Sequence, residues 1–329
     1  MNPFKALAKG SLEFGTQKSY DAMMTHFLKR LELYYKNDII LKDMSFFSEE
    51  TFSLDVPRLL HPCSEKTWKN TAFLFRELRS FAVAGELNIW VLDEKGQLCF
   101  EDCIVPQGDK MATTEYLRAS KLLKEEGFEE SAIEILNKAI DKYPRYSQAY
   151  ERRGFAYFRL GRIDDALIDF SKSISFTKNS DAYYGRAVIK KSLGDLQSAT
   201  VDFQAAIDNA VPYQPVFWMS RRVKGECHLK LNEIEKAIFE LKFVVKRIFK
   251  DTDPNFAFRK QAWHNYGQAL LEIGEKANAT IAFQQALLIE DCAIVEDLLS
   301  GINIEAEKKA PKKAKIGRAS CRERVCLAV

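Results

Sequence analysis

The sequence predicts a mainly α-helical protein in which about five helical hairpins form an array behind a small α+β domain. Two observations lead to this prediction. A pattern of small and apolar residues recurs five times after residue 113, whereas the first 110 residues show two amphipathic helices followed by a β-hairpin. Hydrophobic residues make up 47% and charged residues 29% of the 329 residues, a composition typical of folded globular proteins.

The N-terminal segment 1–110 is expected to contain two helices and a hairpin. Apolar residues recur at helical spacing over 20–36, and again over 64–84, where Ser64 stands at a capping position. Segments 87–92 and 97–103 flank a turn that ends at Gly96, which predicts a β-hairpin. Two helices followed by a hairpin also occur in winged-helix domains that bind nucleic acid, and this alternative stays open.

A small residue that returns at nearly constant spacing defines the repeat. Ala132, Ala166 and Ala199 follow one another after 34 and 33 residues, and Ala237 and Ala279 continue the series with four and eight extra residues. We expect these alanines where the two helices of each hairpin cross, because a small side chain permits close approach. The residue five positions earlier, which is Gly or Asn in every copy, suits a left-handed turn between the helices.

Within residues 147–173, the positions characteristic of a known helical repeat are occupied by Tyr150, Gly154, Gly161, Ala166 and Phe170. The chain from about 113 to 307 resembles the tetratricopeptide repeat (TPR) family. The resemblance implies a right-handed α-solenoid with units at 113–146, 147–179, 180–213, 218–251 and 260–293. It also implies a capping helix at 294–307, followed by a disordered basic tail at 308–329.

In the TPR family the first helix of each unit lines a concave groove, so the resemblance implies a partner protein or peptide bound there. The expected groove residues are Arg118, Lys121, Arg152, Phe155, Arg159, Tyr184, Lys191, Arg222, His264 and Gln268. Their excess of cations favours a peptide that is acidic and partly apolar. The carboxylate clamp of chaperone-binding members is not matched, because Leu117, Arg152 and Gly185 stand at its positions, so a chaperone partner is disfavoured.

No residue pattern indicates catalysis. The four histidines, His26, His61, His228 and His264, have no metal-ligand spacing, and no phosphate-binding loop or nucleophile motif occurs. We therefore expect a non-enzymatic scaffold or adaptor that needs no cofactor and no metal. An apolar run of about 18 residues, the length a membrane helix needs, is absent from the sequence, so no membrane partner is expected.

The expected location is the cytoplasm. The N-terminus lacks the apolar core of a signal peptide, and the seven cysteines are scattered without CxxC pairs, which indicates reduced thiols. In the alternative of another class, residues 1–110 carry a specific binding role and the array recruits the domain. A basic surface on helix 64–84, around Lys66, Lys69, Arg76 and Arg79, would favour nucleic acid as that ligand, and a mixed surface would disfavour it.

The C-terminal residues differ from the rest of the chain in charge. From Lys308 onward there are eight basic residues and one acidic residue, so the first 307 residues carry a net charge of −4 within the total of +3. The stretch IGRASCRERV at 316–325 resembles a translated sequencing adapter. Residues 316–329 are therefore expected to be an artefact and not part of the natural protein.

Mass spectrometry of the endogenous protein checks this expectation. Peptides that end before residue 316, or that continue into a different sequence after it, are the expected result. Recovery of an endogenous peptide containing GRASCRER would contradict it.

Overall fold

The computed structural model describes residues 3–36, 38–107 and 110–289. Its strands are β1 (Phe4–Glu13), β2 (Phe47–Ser48), β3 (Ser53–Cys63), β4 (Ala84–Leu92) and β5 (Leu98–Ile104). Two helices, α1 (Gln17–Lys29) and α2 (Glu65–Leu78), belong to the same N-terminal part. The capping helix expected at 294–307 and the tail expected at 308–329 lie outside the described residues.

The five strands form one antiparallel sheet in the order β2-β3-β1-β4-β5. The β4–β5 hairpin lies where the sequence places one. Sequence reasoning missed β1 and β3, because β1 is rich in Ala and Lys and β3 contains Pro57 and Pro62. Pro57 is accommodated beside the irregularity between Ala8 and Gly10, where the β1–β3 register shifts.

Both N-terminal helices pack on one face of the sheet. Ala6, Ala8 and Leu12 of β1 form a core there with apolar residues of α1 and α2. Helix α1 is capped by Thr16 and continues as a π-helical turn at Arg30–Tyr34. Helix α2 ends earlier than the expected residue 84, because the chain turns at 79–82 to enter β4.

Ten helices follow and pair as five antiparallel hairpins. They are α3 (Lys110–Leu122), α4 (Glu129–Lys142), α5 (Ser147–Arg159), α6 (Ile163–Phe176), α7 (Ser180–Ser192), α8 (Leu196–Asp208), α9 (Pro215–Lys230), α10 (Ile234–Lys246), α11 (Arg259–Glu272) and α12 (Lys276–Ile289). Each odd-numbered helix packs on the next helix of its hairpin, and each hairpin packs on the following one. The predicted fold class, an α-solenoid behind an α+β domain, is confirmed.

The turn and crossing positions of the repeat have the expected geometry. The turn residues Gly127, Gly161, Gly194 and Gly274 have φ between +72° and +88°, and Asn232 has φ of +57°. The alanines at the helix crossings are completely buried: Ala132, Ala166, Ala199, Ala237 and Ala279. The backbone therefore turns through the left-handed region at one equivalent point in every hairpin.

An ion pair that sequence reasoning missed joins the two helices of the second, third and fourth hairpins. The pairs occupy equivalent positions sixteen residues apart: Arg153 with Asp169 at 2.7 Å, Arg186 with Asp202 at 2.8 Å, and Lys224 with Glu240 at 2.7 Å. Each acidic residue is at most 4% exposed, so its charge depends on the cation for compensation. In the sequence, the signal for these pairs was a basic residue followed by an acidic residue sixteen positions later in three successive repeats.

The other face of the sheet packs against the array. Leu7 of β1 and Trp90 of β4 contact Val211, and the Trp90 ring stacks at 6.2 Å on Tyr213 in the segment between α8 and α9. The Lys9 ammonium donates to the carbonyl of Asn209 in the same segment. The sheet is thus enclosed between its own helices and the array. None of the described helices has the length and apolarity needed to cross a bilayer.

Replacing Ala166 by leucine tests the helix-crossing assignment. Because Ala166 is completely buried, the larger side chain should overpack the crossing and lower the free energy of unfolding by roughly 1–3 kcal/mol. Adjacent hairpins should also lose protection from hydrogen exchange, because each hairpin is stabilised by its neighbours. A thermal melt within one degree of the parent would contradict the assignment, and Ile168→Leu, at an exposed position of the same helix, is the control.

Candidate functional site: the concave groove of the array

The first helices of successive hairpins lie together on one side of the array. Helix α5 contacts α7, α7 contacts α9, and α9 contacts α11. Because the first helices converge on one side, the second helices lie on the outer side of the curved array: α4, α6, α8, α10 and α12. The inner surface is the concave groove, and all ten groove residues expected from the sequence belong to its first helices.

Among the six cations expected in the groove (Arg118, Lys121, Arg152, Arg159, Lys191 and Arg222), three are exposed: Arg118, Lys121 and Arg159. Arg118 and Lys121 lie one turn apart on α3, and neither forms an ion pair within the described part of the chain. Their side chains are therefore available to a ligand from the solvent.

The other four cations lie beside carboxylates of the array. Lys191 and Arg222 both contact Glu226 at 2.7 Å, so one half-buried acid neutralises much of their charge. The remaining contacts are Arg159 with Glu129 at 3.3 Å and Arg152 with Glu151 at 3.7 Å. The groove wall is consequently less positive than a count of cations in the sequence suggests.

The two expected groove aromatics contribute to the cores of their hairpins. Phe155 packs edge-on against Phe170, with ring centroids 5.0 Å apart, and Tyr184 packs against Phe203 at 5.8 Å. Both are half-buried, and burial raises the pKa of Tyr184. Truncating Phe155 should therefore reduce the stability of the array in addition to any effect on a ligand.

A cleft of about 770 Å³ opens between α9 and α11. Three of the expected groove residues, Arg222, His264 and Gln268, line it together with Leu229, Lys230 and Phe258. The segment between α10 and α11 supplies Phe258, whose ring lies 4.2 Å from the Arg222 guanidinium. This segment corresponds to an insertion in the repeat pattern, and its fold brings an aromatic side chain to the cleft.

The cleft wall contains buried polar atoms that lack a protein partner. Nε of Arg222 and Nε2 of His264 are buried, and neither has a hydrogen-bond partner among the described residues. The His264 Nδ1 lies 3.4 Å from Asn265 Oδ1, and its ring packs against Phe283. Buried polar groups are normally hydrogen-bonded, so these two atoms are exceptions among the residues that line the cleft.

A partly buried cluster of charges, in which Glu151 is buried and the Arg152 side chain is 43% exposed, lies where the groove meets the N-terminal sheet. Arg152 interacts with Tyr116, Glu151 and Asp181 across three hairpins, and Glu86 of β4 lies near the same cluster. Burial raises the pKa values of Glu151 and Asp181, and the positive charge of Arg152 opposes this shift. More carboxylates than cations are present here, so deprotonation is unfavourable.

The cations of α2 do not form a basic surface. Three are paired with acids: Lys66 with Asp38 at 3.4 Å, Lys69 with Glu65 at 2.5 Å, and Arg76 with Asp102 at 2.6 Å. Such a mixed surface disfavours nucleic-acid binding by this helix. Within the described ranges, no three His, Cys, Asp or Glu side chains come together as a metal site.

The fold and its groove define a protein-interaction scaffold built from helical repeats. The tetratricopeptide repeat family matches at two places, residues 117–183 and residues 260–291. These two stretches of the array are therefore similar to this family. Comparison with curated proteins gives no match.

Several solved structures are similar to the array. YrrB, described as a TPR protein with an unusual peptide-binding site, is 18% identical with a TM-score of 0.44, covering 60% of this chain and 92% of its own. MamA of Desulfovibrio magneticus RS-1 is 16% identical with a TM-score of 0.45, covering 55% and 96%. PilW, a type IV pilus biogenesis factor, is 15% identical with a TM-score of 0.48, covering 60% and 89%.

The charge cluster around Glu151 and Arg152 predicts that Glu151→Gln changes the stability of the fold in a pH-dependent way. The raised pKa means that the folded protein binds a proton at Glu151 more readily than the unfolded chain does. The charged form of Glu151 therefore reduces stability above its folded pKa, and this penalty disappears as the pH falls. The stability of Glu151→Gln relative to the parent should be greater at pH 8 than at pH 5, as measured by urea unfolding at both values.

Asp202→Asn serves as a control with the opposite sign. Burial would raise the pKa of Asp202, but hydrogen bonds from Arg186 and Lys190 outweigh burial and lower it. This variant should be more destabilised at pH 7 than at pH 3.5, because the charged carboxylate stabilises the fold. An equal difference in stability between Glu151→Gln and the parent at both pH values would contradict the raised pKa of Glu151.

Proposed function

We propose that this protein is a non-enzymatic scaffold that binds an extended segment of a partner protein in the cleft between α9 and α11. The observation that supports this proposal is the cleft itself. It lies on the concave side of a tetratricopeptide array and has both charged and apolar walls. A volume of about 770 Å³ is sufficient for several side chains of a peptide.

The charges of the cleft favour an acidic segment. Arg222, Lys230 and Lys260 line it against a single acid, Glu226, which also pairs with Lys191. Cations at such a surface accelerate association and select against basic sequences. The exposed Arg118 and Lys121 on α3 extend positive charge toward the other end of the groove.

Apolar contacts supply the second part of recognition. Leu229 and the half-exposed Phe258 offer hydrophobic surface in the cleft. The exposed side chains of Lys230 and Gln268 line the same cleft, where acidic side chains or backbone carbonyls of a peptide can pair with them. The preferred ligand is therefore an acidic segment with one or two apolar anchor residues.

The cytoplasm is the proposed location, and a protein is the proposed class of partner. The four described cysteines, Cys63, Cys99, Cys103 and Cys227, are free thiols, which suits a reducing compartment. The rival function, nucleic-acid recognition by the N-terminal domain, receives little support because the α2 cations are paired with acids.

Charge reversal at exposed residues of the cleft tests the function. Lys230 and Gln268 are exposed and line the cleft, so Lys230→Glu combined with Gln268→Glu should leave the melting temperature unchanged. The probe is a fluorescent library of acidic peptides that each contain a leucine or phenylalanine anchor. The double variant should bind the peptides selected by the parent about tenfold more weakly, and parent binding should weaken as salt rises.

Lys138→Glu combined with Gln284→Glu is the matched control, since both residues are exposed on second helices outside the groove. Peptide binding by the control should equal that of the parent. Equal loss in both double variants would indicate a general charge effect. If the parent selects no acidic peptide, or the cleft variant binds normally, the proposed function is wrong.

A further inference from the structure

Helix α10 presents one continuous exposed face on the outer side of the array. Its exposed residues follow the three- and four-residue spacing of a single helix face: Glu235, Lys236, Phe239, Lys242, Phe243 and Lys246. The opposite face carries Ala237, Leu241 and Val244, which are buried in the array. One face of the helix therefore packs into the array, and the other face exposes aromatic and charged residues to solvent.

Three large apolar side chains are exposed here without a covering element. Phe239 is 56% exposed and Phe243 45% exposed, and their rings form an edge-on pair 5.2 Å apart. Ile248, two residues beyond the end of the helix, is 91% exposed. Single exposed apolar residues are common in proteins, but an edge-on aromatic pair close to a third such residue marks an interaction surface.

Cations surround these apolar residues. Lys242, Lys246 and Lys250 are exposed, and none of them forms an ion pair within the described residues. Arg247 is also exposed and lies 5.5 Å from the Trp218 ring. This local positive charge is unusual in a chain whose first 307 residues carry a net charge of −4.

The equivalent second helices provide an internal comparison. Ile168, Val201 and Ile281 occupy the position of Phe239, two residues after the crossing alanine, and they are 66%, 67% and 55% exposed. Their helices carry fewer exposed cations. Helix α6 exposes one lysine and one aspartate, α8 exposes one aspartate, and the described part of α12 exposes no charged side chain. Helix α10, by contrast, exposes three lysines, Lys236, Lys242 and Lys246, on the helix that also exposes two aromatic residues.

We propose that this α10 patch, formed by Phe239, Lys242, Phe243, Lys246, Ile248 and Lys250, binds the surface of an anionic lipid membrane. Lysines close to a bilayer are attracted by acidic headgroups, and apolar side chains between them insert at the boundary with the acyl chains. The helix would lie on the bilayer without spanning it. The positive charge of the patch is complementary to the negative charge of an anionic membrane surface.

The shape of the molecule favours a membrane over a folded protein as the occupant. The patch lies on the outer side of the array, on the face of α10 opposite the buried Ala237, Leu241 and Val244. A fluid bilayer adapts to protruding side chains and needs no preformed pocket. Because α10 and the cleft lie on opposite sides of the fourth hairpin, membrane binding would leave the cleft accessible to a peptide.

Vesicle sedimentation with the full chain tests the proposal. The parent should bind vesicles of phosphatidylcholine containing about 30% phosphatidylserine and bind pure phosphatidylcholine much more weakly. Lys242→Glu combined with Lys246→Glu should lower the partition coefficient on the anionic vesicles by at least about tenfold. Ile248→Gln, at a residue too exposed to affect folding, should lower it severalfold and leave its salt dependence unchanged.

Ile168→Gln combined with Lys172→Glu is the matched control, since it makes the same type of change on the outer face of α6. It should bind like the parent. The lysines at 308–315 are present in every variant and contribute equally. If the α10 charge reversal binds anionic vesicles like the parent, or if the control loses as much binding, the α10 patch is not the membrane-binding surface. Failure to bind vesicles combined with binding to a nucleic-acid duplex would also overturn the proposal.

Discussion

The array depends on the close crossing of two helices in each hairpin. A single hairpin cannot bury its own apolar face, so it is stable only when stacked between neighbours. Close stacking needs a small side chain at the crossing and a left-handed turn that reverses the chain within a few residues. Ala166 and Gly161 meet these two requirements in the second hairpin, and equivalent residues meet them in the others. The groove exists because this packing repeats.

The same stacking explains the position of the N-terminal domain. Its sheet has two apolar faces, and its own helices cover only one of them. The second face, which carries Leu7 and Trp90, would expose hydrophobic area if the domain stood alone. The array covers it through Val211 and Tyr213, in the first of the two insertions in the repeat. That insertion therefore serves the contact between the domains, and the second serves the cleft through Phe258.

Charge is distributed unequally among the parts of the molecule. Many cations form ion pairs within the fold. Arg153 and Arg186, for example, each pair with an acid on the other helix of their hairpin. Others, such as Lys191, pair with the half-buried Glu226 on the groove wall. The cations that remain free of such contacts are the ones available to a ligand. Among the described residues they include Arg118 and Lys121 on α3, Lys230 in the cleft beside α9, and Lys242 and Lys246 on the outer face of α10, so the proposed peptide-binding and membrane-binding surfaces lie apart.

The sequence by itself determined the array. The spacing of Ala132, Ala166 and Ala199, with a glycine five residues before each, predicts hairpins because crossing and turn geometry depend on residues close in the chain. The tertiary structure decided the rest. Strand β1 has weak local propensity and forms because it pairs with two partners distant in sequence. Likewise, the charge of Arg222 is set by Glu226 and Phe258, and a pattern within one repeat carries no information about such neighbours.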